Sequence, residues 1–168
     1  CATSLRHLCG LAFNDREASR EMAFFGQELF EQSVRRGPLS TPEYTQLRER
    51  IQRQSRAEGL DAVIGMNRLD ALVSISSQPA RPSDLILGDS GGGGGPGIAA
   101  LAGYPNVSVP MGFVQGLPVG LSFVGRAWED AALLRFAFAF EQASRARRAP
   151  KFLATATGEL FGAKNWGQ

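Results

Sequence analysis

The residues best suited to chemistry stand in one run, GDSGGGGGPG, at positions 88–97. Its first five letters look like the setting of a serine-protease nucleophile, where backbone N–H groups beside a reactive serine hold an oxyanion. Such a relay needs a histidine oriented by a carboxylate. The chain has a single histidine, His7, in the helical context LRHLCG, and lacks the many short strands of that protease fold. The protease match is a coincidence of letters. A thiol relay between Cys9 and His7 fails on geometry, because residues two apart on a helix point to different sides. One histidine with Cys1 and Cys9 is no metal-ligand set either, so no metal is expected. A Walker loop would place Lys and Ser/Thr after its second glycine, where Pro96, Gly97 and Ile98 follow this run. A dinucleotide loop should follow a strand directly, with an acidic residue about 20 positions further on. Residues 105–120 carry no charge at all. No cofactor is expected.

The scarcity of certain residues constrains mechanism further. There are two lysines, Lys151 and Lys164, both close to the C-terminus. At 168 residues the chain is long enough for one ordinary domain with a core. Its 43% apolar and 20% charged content is that of a globular protein in water. A net charge of +2 gives no electrostatic argument for nucleic-acid or membrane partners, and neither is expected. Two cysteines in one short segment offer no disulfide framework, which points to a reducing, cytoplasmic setting. No apolar run reaches the ~20 residues of a membrane helix. The opening CATSLRHLCG has no apolar region followed by a cleavage-type site. It also lacks an initiator methionine and begins in a helical pattern, so a chain cut from something longer is expected.

The elements that must position any site follow from periodicity and punctuation. Leu5, Leu8, Leu11 and Ala12 recur at helical spacing over residues 4–14. Asp15 can cap a second helix whose stripe, Met22, Phe25, Leu29 and Phe30, reads as core and ends near Gly37. Thr41 as N-cap and Pro42 at N1 start a third helix, with a stop near Gly59 and a charged face that includes the Glu49–Arg53 spacing. A short helix over residues 60–68 leads into LDALVSIS, which reads as a strand buried on both faces. After the glycine run, IAALAGYP is a small-residue helix. NVSVPMG and LPVGLSFVG are strands joined through FVQG. A closing helix is traced by Leu133, Leu134, Ala137, Phe138 and Glu141, with Arg145, Arg147 and Arg148 at its C-terminal end complementing the helix dipole. The class is α/β, with too few strands to bury both faces of a parallel sheet alone.

Several stretches together resemble the C-terminal part of the amidase signature family, in its bacterial peptide-amidase and general-amidase branch. They are FFGQELFE (24–31), LDALVSISSQPARP (69–82), and the series from ALAGYPNVSVPMG through GLPVGLSFVGRAW to RRAP (100–150). The resemblance implies the C-terminal portion of a mixed β-sheet flanked by helices, incomplete on its own. On this basis residues 1–150 form one segment of an amidase domain and residues 151–168 a loosely held tail. The implied chemistry is hydrolysis of linear carboxylic or peptide amides by a serine nucleophile, a second serine in a cis peptide and a buried lysine. Such a lysine is a base only where desolvation and neighbours lower its pKa. Neither Lys151 nor Lys164 lies in a buried-looking segment or beside a glycine–serine signature. No catalytic residue carries over, and the chain alone is expected to be inactive.

What carries over is a pocket rim. Residues 88–97 match a family loop holding a Gly–Asp pair, which makes Asp89, Ser90 and Gly91 the substrate-binding candidates. Here Gly93–Gly95 replace the usual serines, and Ile75 and Gln78 stand where proline and glycine are common. Backbone N–H groups therefore replace side chains as the expected contacts. The alternative for Asp89 is a hydrogen bond to its own loop. Trp128, the aromatic before the last helix, reads as core. The expected partner is a small amide or peptide-amide substrate in the complete enzyme. Exposed sheet edges, where missing strands should pair, would favour self-association. The competing readings are a non-catalytic truncated remnant and a small-ligand binding or association module.

Overall fold

In a computed structural model of the chain, the described residues are 26–81, 86 and 96–152. The helix expected over residues 4–14, the Asp15 cap, Met22, Phe25, and residues 153–168 of the tail lie outside them. Two units make up the chain, Cys1–Arg50 and Ile51–Gln168.

In the first unit, helix α1 (Glu28–Arg35) places Glu28 and Glu31 in its first turn and Arg35 in its last, each complementing the dipole end it occupies. It stops before Gly37, whose φ of +83° suits a residue without Cβ. No residue of α1 is buried, and Leu29 and Phe30 are exposed, so the core expected of them is not formed. Leu29, Phe30 and the half-buried Val34 are the apolar residues of this helix, too few for the wide stripe that burial needs, and Met22 and Phe25 of the expected stripe lie outside the described residues. Helix α2 (Pro42–Ser55) opens as expected, with the Thr41 carbonyl accepting from the Thr45 N–H at 3.1 Å.

The expected stop at Gly59 does not occur. The chain winds on through a π turn (Arg56–Leu60) into helix α3 (Asp61–Met66). Gly59 is needed for a different reason: a Cβ there would meet the Gln54 carbonyl oxygen at 2.5 Å inside the widened turn. Arg53 Nε pairs with Glu58 Oε1 at 3.0 Å across this junction rather than with Glu49. The helix ends at Arg68, whose φ is +51°, with the Leu69 N–H on the Ile64 carbonyl at 2.9 Å.

The sheet has three strands among the described residues, β1 (Leu72–Ile75), β2 (Asn106–Val114) and β3 (Leu117–Val124), in the order β1-β3-β2 with both pairings antiparallel. Gln115 and Gly116, at φ of +50° and +80°, join β2 to β3 in a two-residue turn of the type whose twist matches a hairpin. Side chains on paired residues share a face. One face carries Leu72 and Ser74, then Gly120, Ser122 and Val124, then Asn106, Ser108 and Pro110. Against it lie the π turn and helix α4 (Pro96–Ala102), where Leu60, Ala99, Ala102 and Val124 form the buried cluster, with Leu72 and Tyr104 packed on it. Ala99 and Ala102 allow that close approach, as the small-residue pattern implied.

The other face carries Val73, Ile75, Leu121, Phe123, Val107 and Val109. Helix α5 (Asp130–Ser144) lies over β2 and β3 there, and Phe140 meets Phe123 edge-on at 6.2 Å. β1 is not buried on both faces: Leu72 and Ser74 are half-buried, while Val73 and Ile75 are exposed. Among the described residues it has a strand on one side only, and α5 lies over β2 and β3, so none of them covers its second face. On α5 itself Leu133 and Ala137 are buried, but Leu134 and Phe138 are exposed. No helix of the described residues is long and apolar enough to cross a membrane.

Candidate functional site

Two polar clusters flank the buried core of the first sheet face. The first is a ring of hydroxyls. Ser76 Oγ donates to Ser108 Oγ at 3.1 Å, and Ser122 Oγ lies 2.7 Å from each of them. Ser122 is fully buried, so its hydroxyl depends on these two partners. The strand register creates the ring. Counting back from the two-residue turn, an unbroken ladder would set Ser108 opposite Phe123 and Val109 opposite Ser122. The register shift between Pro110 and Gly112 moves β2 by one residue and sets Ser108 opposite Ser122. One extra residue, Met111, thus flips the hydroxyls onto a common face. Gly120 makes the room, because a Cβ on it would stand 2.7 Å from Ser76 Oγ.

This ring is not an activated nucleophile. Each hydroxyl bonds to another hydroxyl, and among the described residues no base or carboxylate stands against them. It positions β1 against the hairpin.

The second cluster joins the π turn and α3 to the residues after α4. The Tyr104 hydroxyl donates to Asp61 Oδ2 at 2.7 Å. Arg56 Nε donates to the Ala102 carbonyl at 2.6 Å, and its guanidinium lies 5.9 Å from the Tyr104 ring centroid. Burial holds the Tyr104 phenol above its ordinary range, reinforced by the Asp61 hydrogen bond and charge, while Arg56 and Arg126 act the other way. The backbone N–H of Arg126 reaches Glu129 Oε2 at 3.0 Å, and this fixes the turn leading into α5. The arrangement locks elements together through a neutral phenol and holds no nucleophile. Among the described residues no three or more His, Cys, Asp or Glu gather as a metal site.

Asp89, Ser90 and Gly91 lie outside the described residues, as do His7, Cys1, Cys9 and Lys164. Trp128 is placed, and it corrects the expectation of core packing. It is 94% exposed and sits at φ +67° in the turn before α5. A left-handed conformation is unfavourable for a bulky residue, and here it turns the indole outward while Leu133 packs over Gly125 instead. Arg145 caps α5 at φ +46°, its N–H on the Glu141 carbonyl at 2.9 Å. Arg148 lies over the Phe113 ring at 4.9 Å. The hydroxyl ring is not legible in the sequence, because its signal, a bulge between Pro110 and Gly112, leaves no mark until the register is known.

No family model matches the chain. A probable amidase of Arabidopsis thaliana is 34% identical over 146 residues, which are 86% of this chain and 25% of that protein. Among solved structures, the native peptide amidase from Stenotrophomonas maltophilia matches with a TM-score of 0.77 at 40% identity, over 86% of this chain and 29% of that one. A peptide amidase in complex with the competitive inhibitor chymostatin matches with a TM-score of 0.80 at 41% identity, over 86% of this chain and 30% of its own. The chain therefore spans less than a third of the length of these relatives. The AGYP to GRAW series, the helices on both sheet faces and these similarities agree: the chain belongs to the amidase signature family, as a segment of its C-terminal portion.

Proposed function

We propose that this chain is the C-terminal segment of an enzyme that hydrolyses linear carboxylic or peptide amides. The serine nucleophile, the second serine and the proton-managing lysine come from a part of the enzyme that this chain does not span. The observation that carries the reading is the shared fold with peptide amidase over 86% of the chain at 41% identity. Within the complete enzyme the segment supplies support for the reacting centre, the sheet face locked by the Ser76–Ser108–Ser122 ring and the Tyr104–Asp61 bond. Asp89, Ser90 and Gly91 form the rim of the substrate pocket, presenting backbone N–H groups and one carboxylate to the polar end of the amide. The enzyme works in the cytoplasm, without metal or cofactor, on a small amide or peptide amide.

A fusion tests this reading. The matching segment of the Stenotrophomonas maltophilia peptide amidase is replaced by the whole 168-residue chain, and hydrolysis of a peptide amide is followed by ammonia release. The fusion is expected to hydrolyse the amide, the 168-residue chain alone to release none. Within the active fusion, D89A is expected to raise KM more than it lowers kcat, because a rim residue binds the ground state and the transition state alike. A folded fusion with no activity would sink the proposal.

A further inference from the structure

The net charge of +2 averages away one local excess. Arg145, Arg147, Arg148 and Lys151 follow one another at the end of α5, with no acidic residue after Glu141 in that stretch. The hairpin strands and their turn, residues 106–124, carry no charge of either sign. Arg145, Arg147 and Arg148 are exposed, and none of them forms an ion pair among the described residues. The helix dipole accounts for a cation at Arg145, but its influence fades beyond the last turn. Arg148 lies over the Phe113 ring at 4.9 Å, which brings the basic segment onto the outer end of the hairpin. Three residue steps separate Arg145 from Arg148, so their Cα atoms stand at most ~11 Å apart and the three cations share one patch. The apolar side chains beside them are open. Phe113 is 36% and Val114 51% exposed, and Phe152, which closes the basic segment, is 89% exposed.

We propose that the hairpin end and the segment after α5 form a peripheral contact with an anionic lipid surface. Phe113, Val114 and Phe152 enter the boundary of the acyl chains, while Arg145, Arg147 and Arg148 pair with the headgroups above it. The occupant follows from the mixture of side chains. An acidic peptide would neutralise the arginines and leave the three apolar groups in water. Single-stranded nucleic acid would stack its bases on aromatic faces, but one face of Phe113 already holds the Arg148 guanidinium and Val114 has no ring. Anionic headgroups over an apolar layer satisfy both halves of the patch. The contact is independent of amide hydrolysis and uses none of the residues assigned to it.

Flotation with phosphatidylcholine vesicles, with and without phosphatidylserine, tests the contact in the 168-residue chain and in the peptide-amidase fusion. Both proteins are expected to float with the anionic vesicles, to ignore the neutral ones, and to be released as salt rises. R147Q/R148Q is expected to lower partition onto anionic vesicles by about tenfold or more. R48Q/R50Q removes the same charge from exposed positions on α2 and is expected to lower it less than about twofold. V114S keeps the charge and is expected to lower partition by about threefold. All five altered positions are exposed, so unfolding midpoints should stay within about 0.5 kcal/mol of the unaltered chain, which separates lost contact from lost fold. Equal losses in the two arginine pairs would make the attraction one of net charge and overturn the patch. Unchanged partition of V114S would remove lipid as its occupant. Failure of the chain to float overturns the proposal, and does so in favour of another partner if the chain binds polyglutamate or single-stranded RNA instead. An amide-hydrolysing fusion that does not float would show the patch covered in the complete enzyme, which overturns the contact and leaves the amidase reading standing. A fusion that floats and hydrolyses nothing supports the contact and removes that reading.

Discussion

Leu133 and Leu134 are adjacent on α5, yet the first is fully buried and the second 59% exposed. One turn on, Ala137 is buried and Phe138 is 64% exposed. Of the buried pair, Leu133 faces the end of β3, where its side-chain carbons lie 3.1 to 3.3 Å from the place a Gly125 Cβ would take. The exposed pair is as apolar and larger. The same inversion runs through the second unit: beside Leu60, Ile64 and Leu133, its buried described side chains are alanines, valines and two serines, while Trp128, Met66, Leu101 and Phe138 stand in the open. Burial follows the surface available, and three strands with short helices offer little of it. The apolar pattern is written for a larger core than these described residues enclose, in keeping with a chain spanning less than a third of its relatives.

The contrast makes its strongest demand at Leu133. Leu133→Ala removes a fully buried side chain from a site walled by Gly125, which has no atoms to fill the space. It is expected to destabilise the chain by about 3 kcal/mol, read as a lower urea midpoint with an unchanged slope. A loss no larger than that of an exposed leucine would dissolve the distinction between the two ridges.

Those ridges also show where the sequence was legible. Helical spacing located α5, and Thr41-Pro42 and Gly37 marked helix ends, because capping is decided within a few residues. The hairpin was legible for the same reason, with Gly116 supplying one of two positive φ angles. Which of Leu133 and Leu134 faces the sheet was not legible, since both fit the period and the sheet chooses. Gly59 misled because a glycine that closes a helix and one that admits a carbonyl into a π turn look alike in sequence. Trp128 misled because bulk argues for burial only where something is present to bury it. Of the site, the expected rim at Asp89, Ser90 and Gly91 was visible only through the family resemblance. The hydroxyl ring depends on one inserted residue in β2, which periodicity does not reveal.

A smaller effect tests the polar fastening on the buried side. Tyr104→Phe removes the donor to Asp61 and keeps the ring under Arg56. A loss of about 1.5 kcal/mol is expected, as for a hydrogen bond to a charged acceptor. Its pH dependence has a definite sign. The folded chain holds the phenol proton more tightly than the unfolded chain does, since burial and Asp61 raise the folded pKa. The contribution is complete below the unfolded value of about 10 and fades as pH rises through the folded value. Denaturant midpoints of the two proteins should therefore converge above pH ~10, with the unaltered chain falling more steeply. Parallel curves would mean that the phenol is no better protected than one on the surface, and that the core side has no such fastening.

The smallest effect lies on the exposed ridge, and it separates what α5 is from what it is built for. Leu134→Ala and Phe138→Ala trim side chains that are 59% and 64% exposed, so each is expected to shift the stability of the chain by less than about 0.5 kcal/mol. Alanine also favours helix over both residues, which offsets part of any lost contact. The same substitutions in the peptide-amidase fusion have a different expectation. If the rest of the enzyme covers this ridge, each becomes a large-to-small change in a core and should lower stability by about 2 kcal/mol or more. Denaturant titration of both proteins reads the difference directly, and the quantity of interest is the gap between the two contexts. A gap near zero would mean that Leu134 and Phe138 face solvent in the complete enzyme as well. The apolar excess of α5 would then be ordinary surface, and the case for a larger core would rest on β1 alone.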